Sequence, residues 1–238
     1  IISTEKLMNS TDIDQIIESL RKSNFQDKKK IFEILRNEIP IHSIENDWNT
    51  KAEIILEAIY RSPDLTKRGI RGIIAEASFK YYVIDKLENF KDITPVGNFP
   101  YDFLLQSDEG NIKIQVKMQR LKAHKPMMAN EGYRILSPDK YVVETQKTRG
   151  GTDQKTNEDT RPYRFGEFDI LAVSMHPSTN DWSKFNYTVS NWLLEREDKP
   201  EQLLKFQPVA VESNDDWTDN FHIVVQWYRS NITKKIQK

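Results

Sequence analysis

Residues 112–119 alternate between apolar and polar side chains without a break, and this pattern constrains the fold more than any other in the chain. The apolar set is Ile112, Ile114, Val116 and Met118, and the polar set is Lys113, Gln115, Lys117 and Gln119. A period of two predicts a β-strand whose two faces differ in polarity. Turn-forming residues at 108–111 precede it, and an extended segment at 99–106 comes before them. The two strands are therefore predicted to form a β-hairpin.

Helical periodicity precedes this hairpin. Apolar residues recur at spacings of three and four in three segments, and Thr11 is predicted to cap the first of them. The segments are 12–23, 27–39 and 50–62. Pro63 ends the run, because proline cannot continue a helix interior. Residues 1–65 are thus predicted to form a helical N-terminal subdomain with a packing, dimerising or DNA-flanking role.

A longer helix is predicted over residues 71–88, immediately before the hairpin. The apolar residues expected to face the core are Ile73, Ala77, Ile84 and Leu87. After the hairpin, strands are predicted over 140–146, 165–175, 206–211 and 221–228, with a short helix over 189–195. The predicted class is α/β with mixed α+β character, in which residues 66–238 form one central sheet flanked by helices.

Composition removes several kinds of chemistry. The chain has no cysteine, so it has no disulfide framework, thiolate zinc site or cysteine nucleophile. Its four histidines are far apart in sequence, and each is interpreted as structural or surface-exposed. Eight glycines form no phosphate-cradling pattern, so no nucleotide cofactor is expected. No apolar run approaches the roughly 20 residues of a membrane span, and no membrane association is expected.

The net charge of −1 conceals an uneven distribution. Residues 111–165 carry 12 basic and 6 acidic side chains, whereas the remainder carries 23 basic and 30 acidic ones. A basic middle within an acidic chain indicates a localised face for a polyanion such as DNA.

The hairpin brings together residues that suit phosphodiester hydrolysis. Gln115 and Lys117 leave the same face of one strand about 7 Å apart, and Asp102 lies near the start of the other. A carboxylate, an amide oxygen and an ammonium group would then converge. Mg²⁺ takes such oxygen ligands and activates water, and a lysine can orient or deprotonate that water. Glu76 is either a further metal ligand or a surface charge paired with Lys80 at the i,i+4 spacing.

These residues also carry a family resemblance. The pattern consists of an upstream helical glutamate, the sequence "PYD" ending at Asp102, a gap of twelve residues, and the sequence "QVK" beginning at Gln115. It resembles that of the PD-(D/E)xK nuclease superfamily. Over residues 70–175 the chain looks most like a Type II restriction endonuclease. The resemblance places the catalytic aspartate at Asp102, the second acidic position at Gln115, the lysine at Lys117 and the helical glutamate at Glu76. Gln115 departs from the pattern, as a native amide ligand or as an inactivating substitution.

The resemblance implies a restriction-endonuclease-like mixed sheet and a Mg²⁺-dependent enzyme of the prokaryotic cell interior. Its partner would be double-stranded DNA, cut at specific sequences by a homodimer. Recognition loops are expected within residues 121–165, and their side chains would hold phosphates or read bases. The candidate DNA-binding residues are Arg120, Lys122, Lys125, Gln146, Lys147, Thr148, Arg149, Lys155, Arg161 and Arg164.

Two further interpretations stay open at this point. A repair or junction-resolving nuclease on the same fold would bind DNA structure instead of sequence. A non-catalytic DNA-binding module with a degenerate nuclease core would explain Gln115 as a sign of lost metal binding.

Overall fold

The computed structural model describes residues 10–147, 150–151 and 159–238. The chain divides into two compact units, and the boundary falls between Lys67 and Arg68. None of the helices in the described part of the chain combines the length and apolar character needed to cross a bilayer.

The first unit is helical. Its helices are α1 (Ser10–Lys22), α2 (Phe25–Glu38), α3 (Ile44–Asp47) and α4 (Ala52–Arg61). Asn24 caps α2 by accepting a hydrogen bond from the amide of Asp27, as asparagine commonly does at this position. Helix α1 begins at Ser10, so the predicted cap at Thr11 is wrong because Thr11 is itself helical.

Helix α5 (Asp64–Tyr82) leads into the second unit and is followed by a 3₁₀ turn at Ile84–Lys86. The central sheet has the order β1-β2-β3-β7-β8. Its strands are β1 (Lys91–Asp92), β2 (Phe103–Ser107), β3 (Gly110–Met118), β7 (Ile170–Ser174) and β8 (Phe185–Val189). Strand β3 pairs antiparallel with β2 and parallel with β7, so the sheet is mixed. The predicted α/β class with a central mixed sheet is confirmed.

Smaller elements surround this sheet. Two short ladders join β4 (Leu121–Lys122) with β5 (Lys125–Pro126), and β6 (Tyr141–Glu144) with β9 (Phe206–Val209). The remaining helical elements are α6 (Ala129–Gly132), α7 (His176–Thr179), a 3₁₀ turn at Ser190–Trp192 and α8 (Phe221–Arg229).

Aromatic side chains fill the core between the sheet and helices α5 and α8. Phe79 of α5 contacts four rings, those of Phe103, Phe185, Tyr187 and Phe221, with centroids 5.3–6.2 Å apart. Phe79 is fully buried, and aromatic rings in such edge and tilted contacts stabilise a core beyond the area they bury. This packing fixes α5 against the sheet and so determines where Glu76 lies.

The predicted helix over 71–88 is correct in type but wrong in its limits and its buried face. Helix α5 spans 64–82, and it buries Ala75, Ser78 and Phe79. Ile73 is 63% exposed, because the aromatic core selects the face centred on Phe79. Of the residues predicted to face the core, Ile73 and Ala77 are exposed, whereas Ile84 is buried and Leu87 packs against the core after the helix has ended. Within the helix itself, the spacing of aliphatic residues alone therefore identified the wrong side.

Residues 221–228 form helix α8, so the predicted strand there is wrong. The β-branched residues of this segment favoured a strand. The tertiary structure instead buries Phe221, Val224 and Val225, which lie on one face of a helix. Asn220 caps this helix by accepting hydrogen bonds from the amides of His222 and Ile223.

Strand β8 was not predicted at all. Its five residues are all buried and so lack the alternation that marks a half-exposed strand. The short helix predicted over 189–195 is reduced to the 3₁₀ turn at Ser190–Trp192, which ends this strand.

Candidate active site

Asp102 lies one residue before β2, at the point where the antiparallel ladder ends. Its amide donates to the carbonyl of Ile114 at 2.9 Å, and Phe103 is the first paired residue of the strand. Strand β3 continues beyond this pair, which leaves the amide of Val116 without a strand partner on that side. Asp102 Oδ2 accepts this hydrogen bond at 2.7 Å. The interruption of the ladder thus fixes the carboxylate at the edge of the sheet, although Asp102 is not in the strand as predicted.

Gln115 lies beside Asp102, but it presents nitrogen to it. Its Nε2 donates to Asp102 Oδ2 and, at 3.1 Å, to the carbonyl of Val116. Because both neighbours are acceptors, they favour the amide nitrogen on this side. The side chain is also 2% exposed, so the predicted polar face of β3 is covered here. For Gln115 to act as an oxygen ligand beside Asp102, its amide group must turn over.

Glu76 and Lys117 complete a cluster of charges with Asp102. Burial, and then the charge of Asp102, raise the pKa of Glu76 to about 7, while Lys117 opposes this shift. Burial also raises the pKa of Asp102, against the opposing effects of Lys117, the Val116 amide and Gln115. Both carboxylates are therefore harder to ionise than in water, because each is partly desolvated and Glu76 also experiences the charge of Asp102.

The pKa of Lys117 is shifted in the opposite direction to those of the two carboxylates. Burial lowers its pKa, and the charges of Asp102, Glu76 and Glu144 oppose that shift. In the described part of the chain it forms no ion pair with a carboxylate, and its Nζ makes a cation–π contact with Tyr163, 5.2 Å from the ring centroid. A partly buried ammonium near carboxylates that it does not directly contact can bind a further group.

The alternative partner for Glu76 is engaged elsewhere. Lys80 Nζ contacts Asp85 at 3.0 Å and Asp92 at 3.4 Å. Glu76 therefore does not serve as the i,i+4 partner of Lys80, and its side chain remains part of the cluster with Asp102 and Lys117.

Tyr163 belongs to the site and was missed in the sequence. Its ring contacts two ammonium groups, with the centroid 5.2 Å from Lys117 Nζ and 5.3 Å from Lys147 Nζ, and the residue is 4% exposed. Burial raises the pKa of its hydroxyl, as do the charges of Asp102, Glu167 and Glu76. An aromatic residue inside the basic segment was the available signal, but its partner Lys117 is 46 positions away in sequence.

The donor set suits a hard divalent cation. Asp102 and Glu76 both supply carboxylate oxygens, and their raised pKa values show that a nearby positive charge would stabilise the ionised forms. No group of three or more histidine or acidic side chains suitable for a metal occurs among the described residues. Two carboxylates are enough for Mg²⁺, which usually retains water and takes substrate phosphate oxygens as its other ligands.

Two of the predicted DNA-binding residues contact side chains that are linked to this site. Lys147 forms an ion pair with Glu167 at 2.6 Å and contacts Tyr163, whereas Arg120 forms one with Glu144 at 2.6 Å. The other described candidates take part in local backbone pairings: Lys122 pairs with Lys125 in the β4–β5 ladder, Gln146 bridges to Pro162, the Arg161 carbonyl accepts a hydrogen bond from the Lys147 amide, and Arg164 bridges to Gln202. Thr148, Arg149 and Lys155 lie outside the described residues.

Comparison with known proteins gives little additional information. No protein-family model matches the sequence, and none of the curated proteins is detectably similar to it. Among solved structures, the chain is similar to the bacterial homing endonuclease I-Ssp6803I, with 16% sequence identity and a TM-score of 0.39. That match covers 68% of this chain and 96% of the other. The function of this chain is therefore inferred from its own residues.

Proposed function

We propose that this protein is a Mg²⁺-dependent DNA endonuclease whose active site consists of Asp102, Glu76 and Lys117. The observation that carries the proposal is the convergence of these three groups where β2 ends and β3 continues. Two carboxylates with raised pKa values and an ammonium with a lowered one occupy a single site at a sheet edge. Such opposed shifts in one cluster are characteristic of catalytic groups.

In this proposal Asp102 and Glu76 would hold Mg²⁺, which supplies charge neutralisation at the phosphate and activation of a water molecule. Asp102 is already oriented by the Val116 amide, so its second oxygen is directed without a further rearrangement of the backbone. Lys117 Nζ orients the attacking water. It can also accept the proton of that water, because burial lowers the pKa of Lys117 and so favours its neutral amine. The water oxygen bonds to phosphorus as its proton passes to Lys117 Nζ, the bond from phosphorus to the leaving oxygen breaks, and the leaving oxygen takes a proton from solvent water.

The finer proposal is a Type II restriction endonuclease that cuts double-stranded DNA at specific sequences. It is supported by the resemblance around Asp102 and Lys117 and by the basic segment that follows the catalytic strand. Within that segment, Lys147 contacts the same aromatic ring as Lys117, so a side chain of the loop reaches the active site. In this proposal the enzyme acts as a homodimer on a palindromic site. It works in a prokaryotic cell that also contains a cognate modification enzyme.

One observation favours a second candidate, a non-catalytic DNA-binding module. Gln115 donates to Asp102 instead of presenting an oxygen ligand next to it. A metal site with one fewer anionic ligand binds its cation more weakly, so the nuclease core would be degenerate.

Plasmid cleavage distinguishes these candidates. The protein is incubated with supercoiled and linear DNA in Mg²⁺, in Mn²⁺ and in EDTA, and the products are separated by size. We expect discrete fragments that require the metal. Cutting confined to branched DNA would indicate a structure-specific nuclease. DNA binding with no cleavage in either metal would support the degenerate module and contradict the nuclease proposal.

A further inference from the structure

Glu144, at the end of β6, is surrounded by three cationic side chains. Its Oε2 contacts Arg120 Nη1 at 2.6 Å and Arg68 Nη2 at 3.0 Å, and its Oε1 lies 3.6 Å from Lys205 Nζ. These cations come from three separate parts of the second unit: helix α5, the end of β3 and the segment before β9. We call the four residues the Glu144 cluster.

The Glu144 cluster contains more positive charge than its carboxylate can neutralise. Three cations around one anion leave a surplus of two positive charges. The Glu144 side chain is 15% exposed, whereas that of Arg68 is 49% exposed and that of Lys205 is 41% exposed. Each arginine carries five N–H donors, and the contact with Glu144 engages one nitrogen of each. The remaining donors are available to a second anion.

The cluster adjoins the proposed active site. Arg120 follows Lys117 by three residues, and its amide donates to the carbonyl of Val142 at 2.8 Å, which ties the end of β3 to β6. Glu144 is also close enough to Lys117 for its charge to act on the pKa of that lysine. The surplus charge therefore lies beside the point where a phosphodiester would be cut.

We propose that Arg68, Arg120 and Lys205 form a binding site for a backbone phosphate of DNA next to the one that is cleaved, with Glu144 as their positioning residue. A phosphodiester matches this site because arginine binds phosphate oxygens through paired donors and lysine adds a point charge. Arg68 and Lys205 lie outside the basic segment identified in the sequence. The inference rests on the proposed function, since it assumes that DNA occupies the active site.

The test is the salt dependence of DNA binding, measured without cleavage. A fluorescent 30-base-pair duplex is titrated with protein in EDTA at several KCl concentrations, and log Kd is plotted against log salt. Each lost phosphate contact reduces the slope by about 0.9 on duplex DNA. We expect Arg68→Gln and Lys205→Gln each to reduce the slope by about this amount, and Arg68→Lys to retain most of it.

Arg229→Gln is the matched control. Arg229 forms an ion pair with Glu109 at 3.0 Å, in the turn at the opposite end of the β2–β3 hairpin from Asp102. This variant removes the same charge and a comparable ion pair, so its slope should equal that of the unaltered protein. Thermal unfolding of every variant identifies any that fail to fold, and Lys205→Gln, at an exposed position, keeps the test available if Arg68→Gln is one of them.

The outcomes separate this inference from the proposed function. If folded Arg68→Gln and Lys205→Gln bind DNA with an unchanged slope, the cluster is only a structural tie and the inference is wrong. If the slope falls as expected but no cleavage occurs in Mg²⁺, the phosphate site stands and the nuclease proposal fails. If the unaltered protein binds no duplex even at 50 mM KCl, both are overturned.

Discussion

Two carboxylate clusters in the described part of the chain, one around Glu45 and one around Glu76 and Asp102, behave in opposite ways. In the first unit, Glu45 accepts hydrogen bonds from Arg36 and from the amides of Ile41 and Ala52. Although burial raises its pKa, the Ala52 amide, Arg36 and the other donors together lower it to about 2. This carboxylate therefore ionises more readily in the folded protein than in water.

In the second unit, Glu76 lies in a comparable setting but its pKa is raised to about 7. It faces another carboxylate, that of Asp102, and a lysine with which it forms no ion pair. Asp102 has two donors of its own, yet its pKa is also raised. The same residue types thus form a satisfied cluster in one unit and an unsatisfied one in the other.

The difference in pKa between Glu45 and Glu76 distinguishes a structural carboxylate from one that is available for binding. A carboxylate whose hydrogen-bonding capacity is filled stabilises the fold and has nothing left to offer a ligand. A carboxylate held near a like charge destabilises the fold unless a cation joins it, and such residues persist where binding requires them. We therefore expect changes in the two clusters to have opposite consequences, and four predictions test this from the largest effect to the smallest.

The largest effect is expected for Lys117→Ala. Loss of the ammonium removes the group that orients water and stabilises the phosphate, so cleavage should fall by roughly 10²–10⁴-fold. DNA binding should change much less, because the basic loops remain. Single-turnover cleavage and anisotropy titration measure the two quantities separately.

Lys91→Ala is the control for that change. Lys91 is exposed in β1 and pairs with Gln106, at the far end of β2 from Asp102. This variant should cleave at the normal rate. Retention of cleavage by Lys117→Ala would mean that the active site lies elsewhere.

The second prediction concerns stability, and it compares Glu76→Gln with Glu45→Gln at pH 8 without metal. Neutralising Glu76 removes a partly buried charge whose pKa is about 7, and the shift from 4.5 corresponds to at most about 3 kcal/mol of stabilisation. Neutralising Glu45 removes the acceptor for Arg36 and for several amides, so that variant should be less stable than the unaltered protein. Chemical denaturation of both variants measures the difference, and shifts of the same sign would contradict the contrast between the clusters.

Local sequence patterns predicted the two halves of the candidate active site to different degrees. Asp102, Gln115 and Lys117 could be predicted to lie together because the two strands of a hairpin pair residue by residue on either side of the turn. The ladder then placed Asp102 next to Gln115, with one error: the strand begins after Asp102, because its side chain takes the hydrogen bond that the next residue pair would have made.

The remaining members could not be derived from local patterns. Tyr163 lies in a segment without periodicity and Glu144 at the end of β6, and both approach Lys117 only through tertiary packing. The same limit explains the errors in the fold. Helix α8 carries β-branched residues that favour a strand locally, and β8 is buried on both faces and so has no alternation. In both segments the tertiary environment outweighs local preference.

The third prediction concerns Tyr163 as a positioning residue for Lys117. A cation–π contact in a desolvated site is worth about 1–2 kcal/mol, so Tyr163→Leu should slow single-turnover cleavage by roughly 5–30-fold. Tyr163→Phe retains the ring and should cleave at nearly the normal rate. A purely structural role would make cleavage follow thermal stability across the two variants, so both properties are measured. Equal loss in both variants would assign the effect to the hydroxyl instead of the ring.

The smallest effect appears only in acid and belongs to the satisfied cluster. Glu45 has a folded-state pKa of about 2, below its ordinary value of 4.5. Its contribution to stability is therefore complete above about pH 4.5 and is lost as the pH falls towards 2, because the unfolded chain takes up the proton first. Hydrogen exchange of the amides in α2–α4, corrected for intrinsic rates, reports this unit alone. Protection should fall between pH 4.5 and 2 in the unaltered protein and less steeply in Glu45→Gln, which has no proton to gain at this position. Equal slopes would show that the donors around Glu45 do not hold it ionised. The two clusters would then not differ in the way proposed here.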